Sequence, residues 1–189
     1  MYIKVDSLAL FNQFNNIWIE CWLEKGYGLE MEDGPADRYI IIDSKDQKVG
    51  TIEFKPYLLE PNNNINTVYP FHQIESIKNN PESVIEIDKV AILKQFRGKN
   101  LERLLSVFVH YSEQHEISCC VALLERVFYK TLRMIYKFPL ESVGEQIYYK
   151  GDYVIPAVIY PEDLYQHKEK YPWLLNSNQD EHKKNYILR

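Results

Sequence analysis

Long apolar runs are missing from this sequence of 189 residues. No stretch approaches the roughly 18 consecutive apolar residues that a membrane-spanning helix requires. The opening segment, MYIKVDSLALFNQF, lacks both the apolar core and the cleavage site of a secretory signal. We therefore expect a cytoplasmic protein with no membrane span.

An excess of basic residues is also missing. The formal net charge is -5, and Lys and Arg form no dense stripe along the chain. Because the affinity of proteins for nucleic acids rests largely on neutralising phosphates, this balance argues against a nucleic-acid partner. It favours a small or neutral ligand.

Cysteine and metal-ligand patterns are sparse. Cys21, Cys119 and Cys120 are an odd number of cysteines, and two of them are adjacent, so a disulfide framework is not expected. Cys119 and Cys120 lie in an apolar run, where a buried thiol is the expectation rather than a nucleophile. The five histidines have no Cys, Asp or Glu partners at metal-ligand spacing, so we expect no metal cofactor.

What the sequence does contain is the composition of a globular protein, with 46% hydrophobic and 26% charged residues. We predict one domain of the α/β (α+β) class over residues 1–160. Residues 161–189 are expected to form a helical tail packed on the same domain. The apolar patch from Trp173 to Leu175 in this tail is a candidate for docking on its own domain or on a second chain in a homodimer.

The first half of the chain has clear local patterns. Apolar residues at helical spacing predict a helix from Ser7 to Glu24, capped by Asp6 or Ser7. Arg38 to Asp43 and Val49 to Lys55 predict a β-hairpin. A long connection with one short helix follows, and such connections are often functional.

The second half predicts a right-handed βαβ unit. Ser83 to Leu93 and Ile117 to Leu123 have strand character, and the helix between them, from Leu101, buries one stripe and exposes Ser106 among other polar residues. We then expect a helix from Glu125 to Lys137, with Ile135 among its inward residues. A closing hairpin is expected to turn at Gly151-Asp152.

The turn between the first βαβ strand and its helix is a candidate anion site. It comprises the residues Gln95, Phe96, Arg97, Gly98, Lys99 and Asn100. A helix N-terminus presents unpaired amides, and Gly98 allows close approach of the backbone. Arg97 and Lys99 add positive charge, and Asn100 is a candidate N-cap. The alternative is an ordinary loop with solvated charges.

This turn resembles the Gln/Arg-x-x-Gly-x-Gly/Ala turn of the GNAT (N-acetyltransferase) superfamily, with Asn100 at the last position. Glu86 to Ile92 also resembles the fourth strand of that superfamily, and the order of elements agrees over nearly the whole chain. The resemblance implies a mixed, mostly antiparallel sheet that splays between strands four and five and is flanked by helices.

Within that superfamily, the C-terminal half is similar to the acyl-homoserine-lactone synthase and N-acyl amino acid synthase branch. The similar segments are Glu86 to Ile92, Phe138 to Gly144, and Val154 to Ile159. Lys89 and Glu53 stand where that branch usually has arginines. The reversed charge at Glu53 argues against lactone synthesis and against recognition of the same acceptor as in that branch.

The resemblance implies acyl transfer from acyl-CoA to an amine of a small molecule or peptide, with acetyl-CoA as the first expected donor. Its backbone contacts would come from Val90, Ala91 and Ile92, and Glu86 matches the position of the frequent general base. Asp88, two residues on, could share that role. Two alternatives stay open: a longer-chain synthase using acyl-CoA or acyl-carrier protein, and a non-catalytic binding module.

The other site candidates are less specific. Tyr129 and Arg133 stand near the position of a frequent general acid, one turn apart on the predicted helix, and either could contact the thiol end of the donor. Further candidates for an acceptor or acyl pocket are Trp18, Trp22, Tyr27, Tyr39, Asp33 and Asp37. For these six residues, core packing or a solvated loop is the alternative.

Overall fold

The computed structural model describes residues 1–29, 31, 34–98 and 100–175. One eight-stranded sheet dominates it. The strands are β1 (Tyr2–Lys4), β2 (Asp37–Ile42), β3 (Lys48–Pro56), β4 (Val84–Ile92), β5 (Cys119–Glu125), β6 (Leu140–Ser142), β7 (Ile147–Tyr149) and β8 (Asp152–Ile159). Their order in the sheet is β1-β2-β3-β4-β5-β8-β6, with β7 also paired to β8. All pairs are antiparallel except β4 and β5, so the predicted mixed sheet is confirmed.

Six α-helices are found in the described part of the chain. They are α1 (Leu8–Lys25), α2 (Asn64–Val68), α3 (Glu75–Asn79), α4 (Leu101–Gln114), α5 (Arg126–Lys130) and α6 (Glu162–Gln166). Of the helices in this part, none has both the length and the apolar character needed to cross a bilayer. The long connection after β3 contains two short helices, α2 and α3, instead of the single one expected.

Helix α1 begins after an N-cap serine and ends at a C-cap glycine. The Ser7 hydroxyl accepts a hydrogen bond from the Leu10 amide at 3.3 Å, and Gly26 closes the helix in the left-handed conformation (φ 74°). Phe14 and Trp18 are fully buried against the sheet. The predicted helix, with Ser7 as its cap, is confirmed.

The βαβ unit is confirmed and shows where the sheet opens. Strands β4 and β5 are parallel, and their pairing runs only from Val84 opposite Cys119 to Glu86 opposite Val121. Beyond this point β4 continues to Ile92 and β5 to Glu125 without pairing to each other. The predicted splay between the fourth and fifth strands is therefore present.

Helix α4 is covered on more than one side, which corrects the expectation for Ser106. Ser106 is 4% exposed, and its hydroxyl accepts a hydrogen bond from the Leu175 amide at 2.9 Å. Trp173 donates from Nε1 to the Tyr136 carbonyl at 3.1 Å and stacks on Phe138. The segment that contains Trp173 and Leu175 thus covers Ser106 on α4, which the sequence pattern predicts to be exposed to solvent.

Two further expectations about the C-terminal half were wrong. Ile135 is 69% exposed, because the helix after β5 continues as a π-helical turn over Thr131–Ile135 and loses the α-helical spacing. The closing hairpin turns at Lys150-Gly151, one residue earlier than predicted, since Tyr149 pairs with Asp152. Both turn residues have positive φ, as a tight two-residue hairpin turn requires.

Candidate functional site

A cavity of about 540 Å³ fills the gap between the splayed strands. Every residue from Glu86 to Ile92 lines it, irrespective of the face to which the side chain points. The cavity therefore runs along the backbone edge of β4. Leu123 to Glu125 of β5 and Phe128 of α5 form the opposite side.

One end of the cavity meets the candidate anion turn. Arg97 and Gly98 line the cavity, and Gly98 has φ 87° with open space where a Cβ would lie. Gln95, which is exposed, and Phe96, which packs against the core, are not among the residues that line it. Lys99 lies outside the described residues.

Asn100 does not cap helix α4 with its side chain, which corrects the expected role. Its amide group donates instead to the Phe96 carbonyl at 3.0 Å and braces the turn from within. The first amides of α4 receive no side-chain cap from Asn100. An anion at this helix end would meet the positive end of the helix dipole.

Arg97 is held at the mouth of the cavity by two elements. Its Nε donates to the Ile92 carbonyl at 3.1 Å, and its Nη1 and Nη2 donate to the two carboxylate oxygens of Glu24 at 3.2 and 2.8 Å. Lys94 is 3.4 Å from the same carboxylate. The carboxylate of Glu24, at the end of α1, therefore pairs with the same two cations that an anionic ligand would bind.

The two candidate bases lie side by side with a lysine that sequence reasoning missed. Lys55 Nζ is 3.3 Å from Glu86 Oε1 and 2.7 Å from Asp88 Oδ2. Burial works against the charge of Asp88, but the neighbouring Lys55 ammonium and its hydrogen bond hold the pKa of this carboxyl below its ordinary value. Asp88 is accordingly a weak base, whereas Glu86, 8% exposed, faces the cavity.

A second missed feature lies behind these carboxylates. Glu53 is fully buried, and its carboxylate pairs with Arg38 and, at 2.5 Å, with Lys89 Nζ. Lys89 Nζ also lies 5.5 Å from the centre of the Trp18 ring. Lys55 Nζ lies 3.9 Å from Glu53 Oε1, so the negative charge of Glu53 is compensated by three cations. The β3–β4 register, in which Lys55 faces Glu86, is the signal that would have revealed the network.

Tyr129 and Arg133 do not reach the cavity. Tyr129 is 7% exposed within the core, and its hydroxyl accepts a hydrogen bond from Arg133 Nη1 at 3.2 Å. The neighbouring residues Val127, Phe128 and Thr131 line the cavity instead. The side of α5 that carries Tyr129 therefore faces away from the slot.

The aromatic candidates divide between cavity and core. Trp22 and Tyr27 line the cavity, and Tyr27 donates to Asp152 at 3.2 Å. Trp18 and Tyr39 are core residues. Asp37 is paired with Lys4 and accepts from Tyr111, at a distance from the cavity wall. Asp33 lies outside the described residues.

The cysteines behave as packing residues. Cys119 and Cys120 are 4% and 0% exposed, and burial raises the pKa of the Cys119 thiol to about 12. Both groups are therefore protonated thiols at neutral pH. Among the residues described, no three His, Cys, Asp or Glu side chains come together as a metal site.

Sequence comparison finds no relative: no protein-family model and no curated protein matches this chain. Structure comparison does. FeeM, an N-acyl amino acid synthase from uncultured soil microbes, superposes with a TM-score of 0.68 at 12% identity, over 88% of this chain and 96% of FeeM.

Two acyl-homoserine-lactone synthases are similar to a comparable degree. LasI gives a TM-score of 0.65 at 13% identity, over 89% of this chain and 95% of LasI. The CoA-dependent synthase BjaI, solved with SAM and isopentyl-CoA, gives 0.62 at 12% identity, over 93% and 90% of the two chains. This chain therefore has a GNAT-like fold, as these synthases do.

Proposed function

We propose that the protein is an acyltransferase that moves an acyl group from acyl-CoA to the amine of a small molecule or peptide. The observation that carries the proposal is one continuous cavity joining three parts: the Arg97-Gly98 turn, the unpaired edge of β4, and the Glu86 carboxylate. A fold alone would not support a function, but this juxtaposition supplies what acyl transfer from a thioester needs.

The donor would lie along β4. Its diphosphate would meet Gly98, Arg97 and the first turn of α4, where backbone amides and positive charge favour an anion. The pantetheine arm would follow the strand edge from Ile92 towards Val90, since β5 no longer pairs there. The thioester would then lie near the middle of β4, within reach of Glu86.

Glu86 would act as the general base. The acceptor amine must lose a proton to attack the thioester carbonyl, and Glu86 is the carboxylate in the cavity wall suited to remove it. The tetrahedral intermediate then collapses with release of the thiolate of CoA. A thiol of pKa about 8.5 departs readily as an anion, so Tyr129 is not needed as an acid.

For the acyl chain we propose donors longer than acetyl. Aliphatic side chains line the cavity from both sides of the sheet: Ile87, Leu101, Leu104, Leu123 and Leu124. An acetyl group would leave this surface without a partner, whereas burying a longer chain gains about 0.8 kcal/mol per CH₂. Acetyl-CoA is the short end of the series to be tested.

The donor class is tested by thermal unfolding with acetyl-CoA, longer acyl-CoAs and acyl-carrier protein. A ligand that binds only the folded state raises the melting temperature. We expect the largest shift with a medium-chain acyl-CoA. If no thioester shifts the transition at saturation, the proposal is wrong.

The base is tested by Glu86→Gln, with Glu82→Gln as the matched control on an exposed residue just before β4. Loss of a general base lowers kcat by about 10²- to 10⁴-fold, with little change in donor binding. An unchanged pH-rate profile in Glu86→Gln would remove Glu86 from this role. Donor binding without turnover across an amine library would instead favour a non-catalytic module.

A further inference from the structure

Strand β4 contains a bulge in the middle of the proposed donor site. Thr51 faces Ala91 and Glu53 faces Asp88, so Ile52 of β3 stands opposite both Lys89 and Val90 of β4. At the bulge the backbone of Lys89 adopts φ 45°, a left-handed conformation that residues other than glycine rarely take. The surrounding structure must therefore hold it there.

Polar contacts hold every part of Lys89. Its backbone amide donates to Asp88 Oδ1 at 2.7 Å, and its carbonyl accepts from Thr51 Oγ1 at 2.8 Å. Its ammonium is 2.5 Å from Glu53 Oε1. Asp88 is itself fixed by Lys55 at 2.7 Å from the other carboxylate oxygen. Both carboxylate oxygens of Asp88 are thus engaged, Oδ1 by the Lys89 amide and Oδ2 by the Lys55 ammonium.

The bulge determines where the next amide points. Leu93 donates from its amide to the Val49 carbonyl on β3 at 2.9 Å. Because successive amides of a strand point to opposite sides, those of Ile92 and Val90 face away from β3, towards the slot. Val90 follows Lys89 directly, so its N–H direction depends on the left-handed residue before it.

We propose that Asp88, together with Thr51, is a positioning residue: the two clamp Lys89 in its left-handed conformation and so direct the Val90 amide at the thioester oxygen. This inference rests on the proposed acyl transfer. The Val90 amide donates to the oxyanion of the tetrahedral intermediate, a contact whose removal costs about 10²–10³ in kcat in other enzymes. Asp88 then acts through the backbone and does not touch substrate.

Three variants separate this role from that of a second base. Asp88→Asn keeps an oxygen that accepts from the Lys89 amide, so the clamp survives, whereas a base would be lost. Asp88→Ala removes the acceptor, and Thr51→Val removes the other half of the clamp with almost no change in shape. We expect kcat to fall at least tenfold in Asp88→Ala and Thr51→Val, and to stay within about threefold of the wild type in Asp88→Asn.

Further readouts exclude a merely structural effect. The two clamp contacts act on one residue, so the Asp88→Ala and Thr51→Val effects on kcat should be less than additive in the double variant. The acidic limb of the pH-rate profile should be unchanged in Asp88→Asn. The ¹⁵N–¹H resonance of Val90 should move in Asp88→Ala and Thr51→Val, and little in Asp88→Asn.

Each contrary result has one meaning. If Asp88→Asn is as inactive as Asp88→Ala, or if Thr51→Val is fully active, the clamp is refuted while acyl transfer stands. If the wild type turns over no thioester, the proposed function and the oxyanion role fail together. The Val90 resonance still judges the clamp in that case, and an unmoved signal in Asp88→Ala overturns it.

Discussion

Replacing the buried carboxylate of Glu53 by an amide tests the charge network directly. Glu53→Gln keeps the volume of the side chain, so no cavity is created, but it removes the charge that faces Lys89 and Arg38. The Arg38 side chain is 15% exposed and can turn towards water, whereas Lys89 is 5% exposed and cannot. The ammonium of Lys89 is left buried without its counter-ion.

The expected cost follows from this geometry. Breaking a buried ion pair by removing one partner destabilises a protein by about 3–5 kcal/mol. For a chain of this size about 2–4 °C is lost per kcal/mol, so the melting temperature should fall by roughly 6–20 °C. Urea unfolding gives the free energy of unfolding directly, and Glu145→Gln, on an exposed carboxylate, should change it by less than about 0.5 kcal/mol.

A double variant identifies the source of the cost. Lys89→Met removes the charge but keeps a long side chain, and in Glu53→Gln/Lys89→Met neither buried charge remains without its partner. We expect the double variant to be more stable than the sum of the single changes predicts, by at least about 1 kcal/mol. Strict additivity, or a loss below about 1 kcal/mol in Glu53→Gln alone, would refute the reasoning.

Three other predictions concern the mouth of the cavity, Asp88 and the thiols. Arg97→Ala should weaken the binding of acyl-CoA roughly tenfold to a hundredfold, because a cation at the proposed diphosphate site is lost. Glu24→Gln should tighten it about two- to fivefold, because the carboxylate that competes for Arg97 is removed. Acyl-pantetheine lacks the diphosphate and should bind the wild type and both variants equally. The pKa of Asp88 is depressed in the folded state, so its contribution to stability is present above the ordinary value of 3.8 and is lost as the pH falls through the folded pKa. The free energy of unfolding should therefore fall less between pH 5 and pH 2 in Asp88→Asn than in the wild type (roughly the window of carboxyl titration). Cys119 and Cys120 should react with a thiol reagent at pH 8 only after unfolding, because burial raises the pKa of both thiols; rapid native labelling would contradict this.

Features set by neighbouring residues could be predicted from the sequence. The Ser7 cap depends on a hydroxyl, and the Gly26 stop on a residue free to adopt the left-handed conformation, each within one turn of the end of α1. The strand character of β4, and the turn around Gly98 with its left-handed glycine, likewise follow from local pattern. The element order around this turn was therefore predicted from local pattern, whereas the splay between strands four and five was predicted through the resemblance to the GNAT superfamily.

Features set by distant residues could not. The π-helical turn that moves Ile135 to the surface has no signal in the apolar spacing. Asn100 has an N-cap sequence position, yet the Phe96 carbonyl competes for its amide group. Lys55 could be placed beside Glu86 only by knowing the register of β3 on β4, which the bulge at Lys89 shifts by one residue.

The reversed charge at Glu53 bears on which acceptors the site can favour. Taken alone, it would make the wall beside Glu86 strongly negative, but Arg38, Lys55 and Lys89 balance the carboxylates of Glu53, Glu86 and Asp88. A charge-balanced wall gives no large preference for a cationic or an anionic acceptor, because either would have to displace an ion pair already made. Discrimination between acceptors then falls to shape and to the aromatic residues at the cavity mouth, Trp22 and Tyr27.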